Sequence, residues 1–208
     1  EALSNYMAFL GWSPKSADRE ILSLEEISEI FDLSEINKAG AKFSWEKLNW
    51  INSQYIKNME SIKLSEIMRK YWDDNGWVPP SQEWAIKLAI LLRDSMTLLK
   101  DAIDQSKPFF LIPTIQKEGQ DFLENKDSKA SLKLILNYLN EQNTIKLDKE
   151  KAKEIINEIS KMHNIKKGIL MKSLRVAFFG SLSGPDLIQS WELFAESKTD
   201  RTRIERCL

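Results

Sequence analysis

The chain has 208 residues, 42% of them hydrophobic, and its seven Trp and nine Phe supply ample apolar area, while only seven Gly, six Pro and well-mixed charge argue against disorder and a loop-rich all-β fold. A net charge of −1 excludes a general pull on polyanions, and a single cysteine, Cys207, excludes an internal disulfide and a cysteine metal cage. No apolar run is long enough to span a membrane, and the length suits two or three small lobes.

Helical spacing runs from end to end. Residues 1–10 read as a helix already under way, since Glu1 has no N-cap before it, and the chain reads as cut from something longer. Its start, "EALSNYMAFLGW", lacks the basic residues and cleavage site of a signal peptide, so the cytoplasm is the expected address. Ser23 and Glu26 form a capping-box pattern, and Ser44 caps a helix whose Trp45, Leu48, Ile51/Asn52 and Tyr55 share one stripe. "KLSEIMRKYWDDNG" stops at Asn75-Gly76. The strongest pattern predicts one helix from the Ser81 cap to about Gln105, with Arg93 and Lys100 on one polar border and Asp94 and Asp101 on another. Pro108 and Pro113 then mark a boundary, because proline breaks helical continuation. Helices follow at "SLKLILNYLNEQ", "DKEKAKEIINEISKMHN", "KKGILMKSLRVAFFG" and "PDLIQSWELFAES", ending in a frayed tail, "DRTRIERCL". The predicted fold class is all-α, helical bundle lobes without strands.

Catalytic chemistry is thin. The only histidine, His163, sits at a predicted helix end without a Ser or Cys nucleophile motif, and Gly168, Gly180 and Gly184 follow no strand as a phosphate loop would. Asp73-Asp74 reads as a solvated helix stop rather than a metal site. No catalytic or metal residue is assigned.

Charge is distributed unevenly. Residues 1–160 hold 21 Lys/Arg against 26 Asp/Glu, whereas residues 161–208 hold 9 against 5. Within that last quarter, the 25-residue run Lys161–Pro185 carries five cations and no acid. Lys166, Lys167, Lys172 and Arg175 precede a corner at Ser181, Ser183 and Gly184. There the Gly184-Pro185-Asp186 start of a new helix, with Pro185 in its first turn, offers backbone N–H groups to phosphate. Single-stranded RNA loops are read with such parts. Against this stands the plainer reading, a solvated face over a core of Leu174, Val176, Phe178 and Phe179. The pattern alone leaves both open.

The segments "ALSNYMAFLGWSP", "DREILSLEEISEIFDLSEINKAGAKFSWEKLNWINSQYI" and "LMKSLRVAFFGSLSGPDL", in this order across nearly the whole chain, resemble bacterial-type glutamyl-tRNA synthetases. The resemblance implies a class I ligase that joins glutamate to its tRNA using ATP and Mg2+. It implies an ATP site in a Rossmann-type domain marked by a His-Ile-Gly-His-like motif and a Lys-Met-Ser-Lys-like loop. This sequence has neither, so it resembles the part after that loop and is expected to be inactive alone and to hold no cofactor. Residues 1–60 then correspond to the end of the stem-contact region, 61–106 and 107–208 to two helical anticodon-binding lobes. The partner implied is tRNA of the glutamate isoacceptors, bound by a monomer, with no role for DNA or membrane.

Residue by residue, the resemblance makes Arg175 an anticodon reader and makes Ser183, Gly184, Pro185 and Leu187 the corner that approaches the bases. Lys100, Lys166, Lys167 and Lys172 would lie near phosphates. Where the family often has Arg-x-Arg, this chain has Arg93-Asp94-Ser95. Either Arg93 takes the second arginine's contact, or the first anticodon base is read less strictly. The competing reading is a helical protein–protein scaffold whose basic corner meets an acidic partner.

Overall fold

The structure is a computed structural model that describes residues 1–13, 19–37, 40, 42–142 and 146–208. Its helices, in chain order, are α1 (Ala2–Gly11), α2 (Leu24–Ile30), α3 (Trp45–Asn58), α4 (Ser61–Asp74), α5 (Gln82–Arg93), α6 (Asp101–Phe110), α7 (Lys117–Leu123), α8 (Lys126–Glu141), α9 (Lys149–His163), α10 (Lys167–Phe179), α11 (Leu187–Glu196) and α12 (Asp200–Glu205). A 3-10 turn at Leu33–Glu35 and an isolated bridge between Trp12 and Ile36 complete the regular structure of the described residues. The fold is all-α, as the periodicity predicts. Among the described residues no helix is long and apolar enough to cross a membrane.

Helix ends follow local chemistry. Ser23 and Glu26 close a reciprocal capping box on α2; Ser44, Ser81, Asp148 and Asp186 cap α3, α5, α9 and α11 by accepting a backbone N–H. Asn164 and Gly180 end α9 and α10 in the left-handed conformation.

Four expectations about elements are corrected. The long helix from Ser81 does not reach Gln105, because polar side chains compete for its backbone. Asp101 Oδ2 accepts from the N–H of Thr97 at 2.9 Å and of Leu98 at 2.8 Å, and Ser95 Oγ donates to Leu92 O at 2.7 Å. The chain folds back through this turn, buries Met96 and restarts as α6, so Lys100 leaves Arg93's border and stands exposed at the α6 start. Pro108 does not break α6 but lies inside it, in its last turn. Trp45 lies off the α3 stripe, 70% exposed against Phe43, while Ile51 is buried and Leu48 and Tyr55 pack beside it. The tail does not fray.

That tail is α12, and it supplies cations to the interior. Arg203, 0% exposed, donates to Phe178 O at 3.0 Å, Leu111 O at 3.3 Å and Thr199 Oγ1 at 3.2 Å, with its guanidinium 4.2 Å over the Phe194 ring. Burial, aided by the Arg206 charge, pushes its pKa down to about 10, so it stays a cation at neutral pH. No carboxylate pairs with it among the described residues; carbonyls near the α10 and α6 C-termini supply the negative ends of dipoles instead. Arg206 bonds the carbonyls of Pro113 and Ala177, and Arg201 that of Leu139.

One core runs from Ile56 to Cys207 and unites α4 to α12. Trp84 sits in it, its Nε1 donating to Leu193 O at 2.9 Å, and Phe109 stacks on Phe194 at 5.0 Å. Lys87 of α5 reaches Glu192 at 3.0 Å and Glu196 at 2.6 Å on α11. Burial alone would lower the Lys87 pKa, but these two acceptors outweigh it and raise it. Residues 1–51 build two smaller clusters, around Ala2, Tyr6 and Ile51 and around Trp12, Leu22 and Ile27.

Candidate nucleic-acid interface

The acid-free run becomes α10 followed by a tight corner, Gly180 to Asp186. Gly180, at φ +71, stops the helix; a Cβ there would stand 2.3 Å from Thr114 O, so only glycine lets the 111–116 segment lie this close. The Gln116 N–H donates to Gly180 O at 2.7 Å and fastens that segment to the corner. Gly184 packs its backbone on the Phe179 ring, and at φ +153 it too requires glycine. Ser181 Oγ donates to Ser183 O at 2.8 Å. Arg175 Nη1 donates to Gly184 O at 2.8 Å and Pro185 O at 2.9 Å, tying α10 to the strip of chain before α11.

Across from this corner lie the end of α5 and the body of α6, and between them opens a groove of about 660 Å³. Leu91, Leu92, Pro108 and Phe179 give it apolar walls; Ser95, Gln105, Gln116, Ser181 and Ser183 give it hydrogen-bonding edges. Asp94 and Asp104 also line it, both exposed and with carboxylates that make no hydrogen bond or ion pair among the described residues. Among the described residues no lysine or arginine lines it.

The residues expected at the site fall in different places. Ser95, Ser183, Gly184 and Pro185, far apart in sequence, meet on this groove. Arg175 stands behind it, with Nη1 committed to carbonyls and no hydrogen bond at Nε or Nη2 among the described residues. Lys166, Lys167 and Lys172 are exposed on the first half of α10, Lys166 about 13 Å of helix rise from Arg175. The others lie elsewhere. Arg93 turns toward the α3–α4 junction, where its Nη1 makes a long 3.5 Å bond to Met59 O. Leu187 is 1% exposed, so its side chain belongs to the core and only its backbone can face a ligand.

Two features depart from the sequence reading. Pro185 precedes the helix rather than opening it: Asp186 is the N-cap, and its carboxylate takes the Gln189 N–H at 2.9 Å, occupying one amide expected to be free. The corner is also not acid-free in space, since Glu118 of α7 accepts from the Leu182 N–H at 3.2 Å and α5 and α6 contribute Asp94 and Asp104. These acids, with Gln105 and Gln116, were not anticipated. They lie more than 60 residues before the corner, and no local pattern announces the approach.

A family profile described as "Anticodon binding domain" matches residues 61–208. Over all 208 residues the chain is 92% identical to the glutamate–tRNA ligase of Prochlorococcus marinus strain AS9601 and 46% identical to that of strain NATL2A, covering 44% of each. It thus spans less than half the length of the curated relatives it matches. Among solved structures, the whole chain superposes on 40% of a glutamate tRNA ligase from Elizabethkingia meningosepticum, solved in complex with its amino acid, with a TM-score of 0.91 and 29% identity. It superposes equally completely on a glutamate-tRNA synthetase from Elizabethkingia anophelis, with a TM-score of 0.87 and 30% identity.

Proposed function

The chain belongs to the anticodon-binding domain family, and from that premise we propose that it is the tRNA-recognising C-terminal part of a cytoplasmic, monomeric glutamate–tRNA ligase. Residues 1–60 form the end of its stem-contact region, and residues 61–106 and 107–208 form two helical lobes that share one core and together receive the anticodon arm of glutamate tRNA. Attachment of glutamate, with ATP and Mg2+, is the work of the remaining part of such a ligase; among the described residues no three of His, Cys, Asp and Glu converge to fit a metal ion.

The observation that carries this reading is the groove. Ser95 from one lobe and Ser183, Gly184 and Pro185 from the other line a single cleft with apolar walls, which suits unstacked bases. The exposed Lys166, Lys167 and Lys172 on α10 suit the phosphates of the same loop. Lys100, exposed at the start of α6, adds a cation for the backbone on the other side. Arg175 serves chiefly by holding the corner in shape, with Nε and Nη2 left for RNA.

The test is binding of glutamate tRNA transcripts to the chain across a salt series. Phosphate contacts require log affinity to fall linearly with log salt, and base contacts require the cognate anticodon to outcompete swapped ones. Equal affinity for every anticodon, or none for any, overturns the proposal in favour of the scaffold reading.

A further inference from the structure

We propose that the groove between the α5–α6 turn and the Ser181–Pro185 corner selects cytosine over uracil through the carboxylates of Asp94 and Asp104, an inference that rests on the RNA-binding function above. The groove disfavours one part of a nucleotide. Among the described residues no cation lines it and two carboxylates do, so a phosphate entering it would meet like charge at close range with only neutral hydroxyls and amides to receive it. The uncharged part of a nucleotide remains, namely the base. Leu91, Leu92, Pro108 and Phe179 offer apolar surface to its faces.

Its edges then meet the carboxylates. An ionised carboxylate only accepts hydrogen bonds, so the base must donate. Cytosine presents an amino group at C4. Uracil presents a carbonyl at the same place, and acceptor facing acceptor would leave both unpaired in a partly desolvated cleft. Cytosine and uracil have nearly the same shape, so the apolar walls cannot separate them and the carboxylates can.

Local helix chemistry does not account for both acids. Asp104 sits in the first turn of α6, where the helix dipole favours an acid. Asp94 is the C-cap of α5, at the negative end of that helix dipole, where an acid is disfavoured. Neither carboxylate has a hydrogen-bond or ion-pair partner among the described residues. On a surface that binds a polyanion each also adds repulsion, which base-edge hydrogen bonds offset.

The experiment uses the 208-residue chain and a set of anticodon-arm RNA hairpins that differ only by cytosine or uracil at one loop position at a time. Affinities at fixed salt are compared for the wild type, Asp94→Asn, Asp104→Asn and the double variant, each with a melting curve. Both side chains are exposed, so the amide isosteres are expected to melt like the wild type. At one loop position the wild type should prefer cytosine by about tenfold, the usual scale of one base-edge contact. Asparagine can donate to the uracil carbonyl, so the double variant should raise the affinity of the uracil hairpin and close the ratio. If both hairpins gain equally and the ratio stays, the acids merely repel RNA and the inference is wrong. A wild type with no cytosine preference at any position also overturns it. If no hairpin binds even at low salt, it is the RNA-binding function that fails, and this inference falls with it.

Discussion

Arg175 and Gly184 are joined across the corner: Nη1 of the arginine donates to the glycine carbonyl at 2.8 Å and to the neighbouring Pro185 carbonyl at 2.9 Å. An arginine that appears from sequence as a reader of bases is thus also a fastener of the loop that carries the groove. Arg175→Ala should therefore lower stability by about 1–2 kcal/mol, the scale of charge-assisted hydrogen bonds at a half-buried site. Denaturant melts of the variant check this; a melt identical to the wild type with lost tRNA affinity would make the guanidinium a pure RNA contact.

Gly180→Ala should be worse. At φ +71 an alanine is strained, and its Cβ would meet Thr114 O, a backbone atom with no freedom to swing aside. A loss of about 2 kcal/mol or more is expected, together with weaker binding of every RNA, because the 111–116 segment must move off the corner. Thermal unfolding and tRNA titration of the same sample provide the check.

Trp84→Ala should cost about 3–5 kcal/mol, the range for emptying a large aromatic site in a packed core. Its ring is 1% exposed, edge-on to Phe110, and its Nε1 holds Leu193 O. Trp84→Phe should recover most of the packing but leave that carbonyl unpaired. Anticodon preference measured well below the melting point should stay as in the wild type, and its loss with intact stability would make Trp84 a stacking partner for RNA.

Lys166→Ala should weaken binding of all tRNAs by the same factor and reduce the salt slope by about one, as for a lysine near a phosphate. The side chain is exposed at the start of α10 and makes no hydrogen bond among the described residues, so melting should not change. An altered preference among anticodons would move Lys166 from the phosphates to the bases.

Residues 61–208 should unfold cooperatively without residues 1–60, since apart from Ile56 the core's buried residues all belong to that segment. The shortened chain should nevertheless melt lower. It loses Ile56 and Met59 from the core and the bond from Asn52 Nδ2 to Thr97 O at 2.6 Å, which braces the turn between α5 and α6. Calorimetry of both chains decides the matter, and a broad, non-cooperative transition in the shorter one would refute it.

What the sequence disclosed was what short-range chemistry controls. Ser23, Ser44, Ser81, Asn75 and Gly180 act on their own helix ends, and each end lies where those residues indicate. The failures came where a distant or competing partner decides. The break after Arg93 depends on Asp101 and Gln105 reaching back to the turn, and Pro108 removes one amide donor from α6 without ending it. Arg203 read as tail because a buried arginine is identified by the carbonyls of Leu111 and Phe178, which no local pattern links to it. The site was legible as a corner but not as a groove. An acid-free run of sequence says nothing about acids that α5, α6 and α7 bring to the same place.

The arginines of α12 have a consequence for synthesis on the ribosome. Translation delivers Leu111, Pro113, Leu139, Ala177 and Phe178 well before Arg201, Arg203 and Arg206 exist to take their carbonyls. The bundle can collapse around Trp84 and Phe109 while the chain is still growing, but it cannot lock until α12 has left the exit tunnel and closed over Phe194. A nascent chain stalled before Arg201 should therefore be compact yet open to protease. One in which Arg201, Arg203 and Arg206 are clear of the tunnel should resist it.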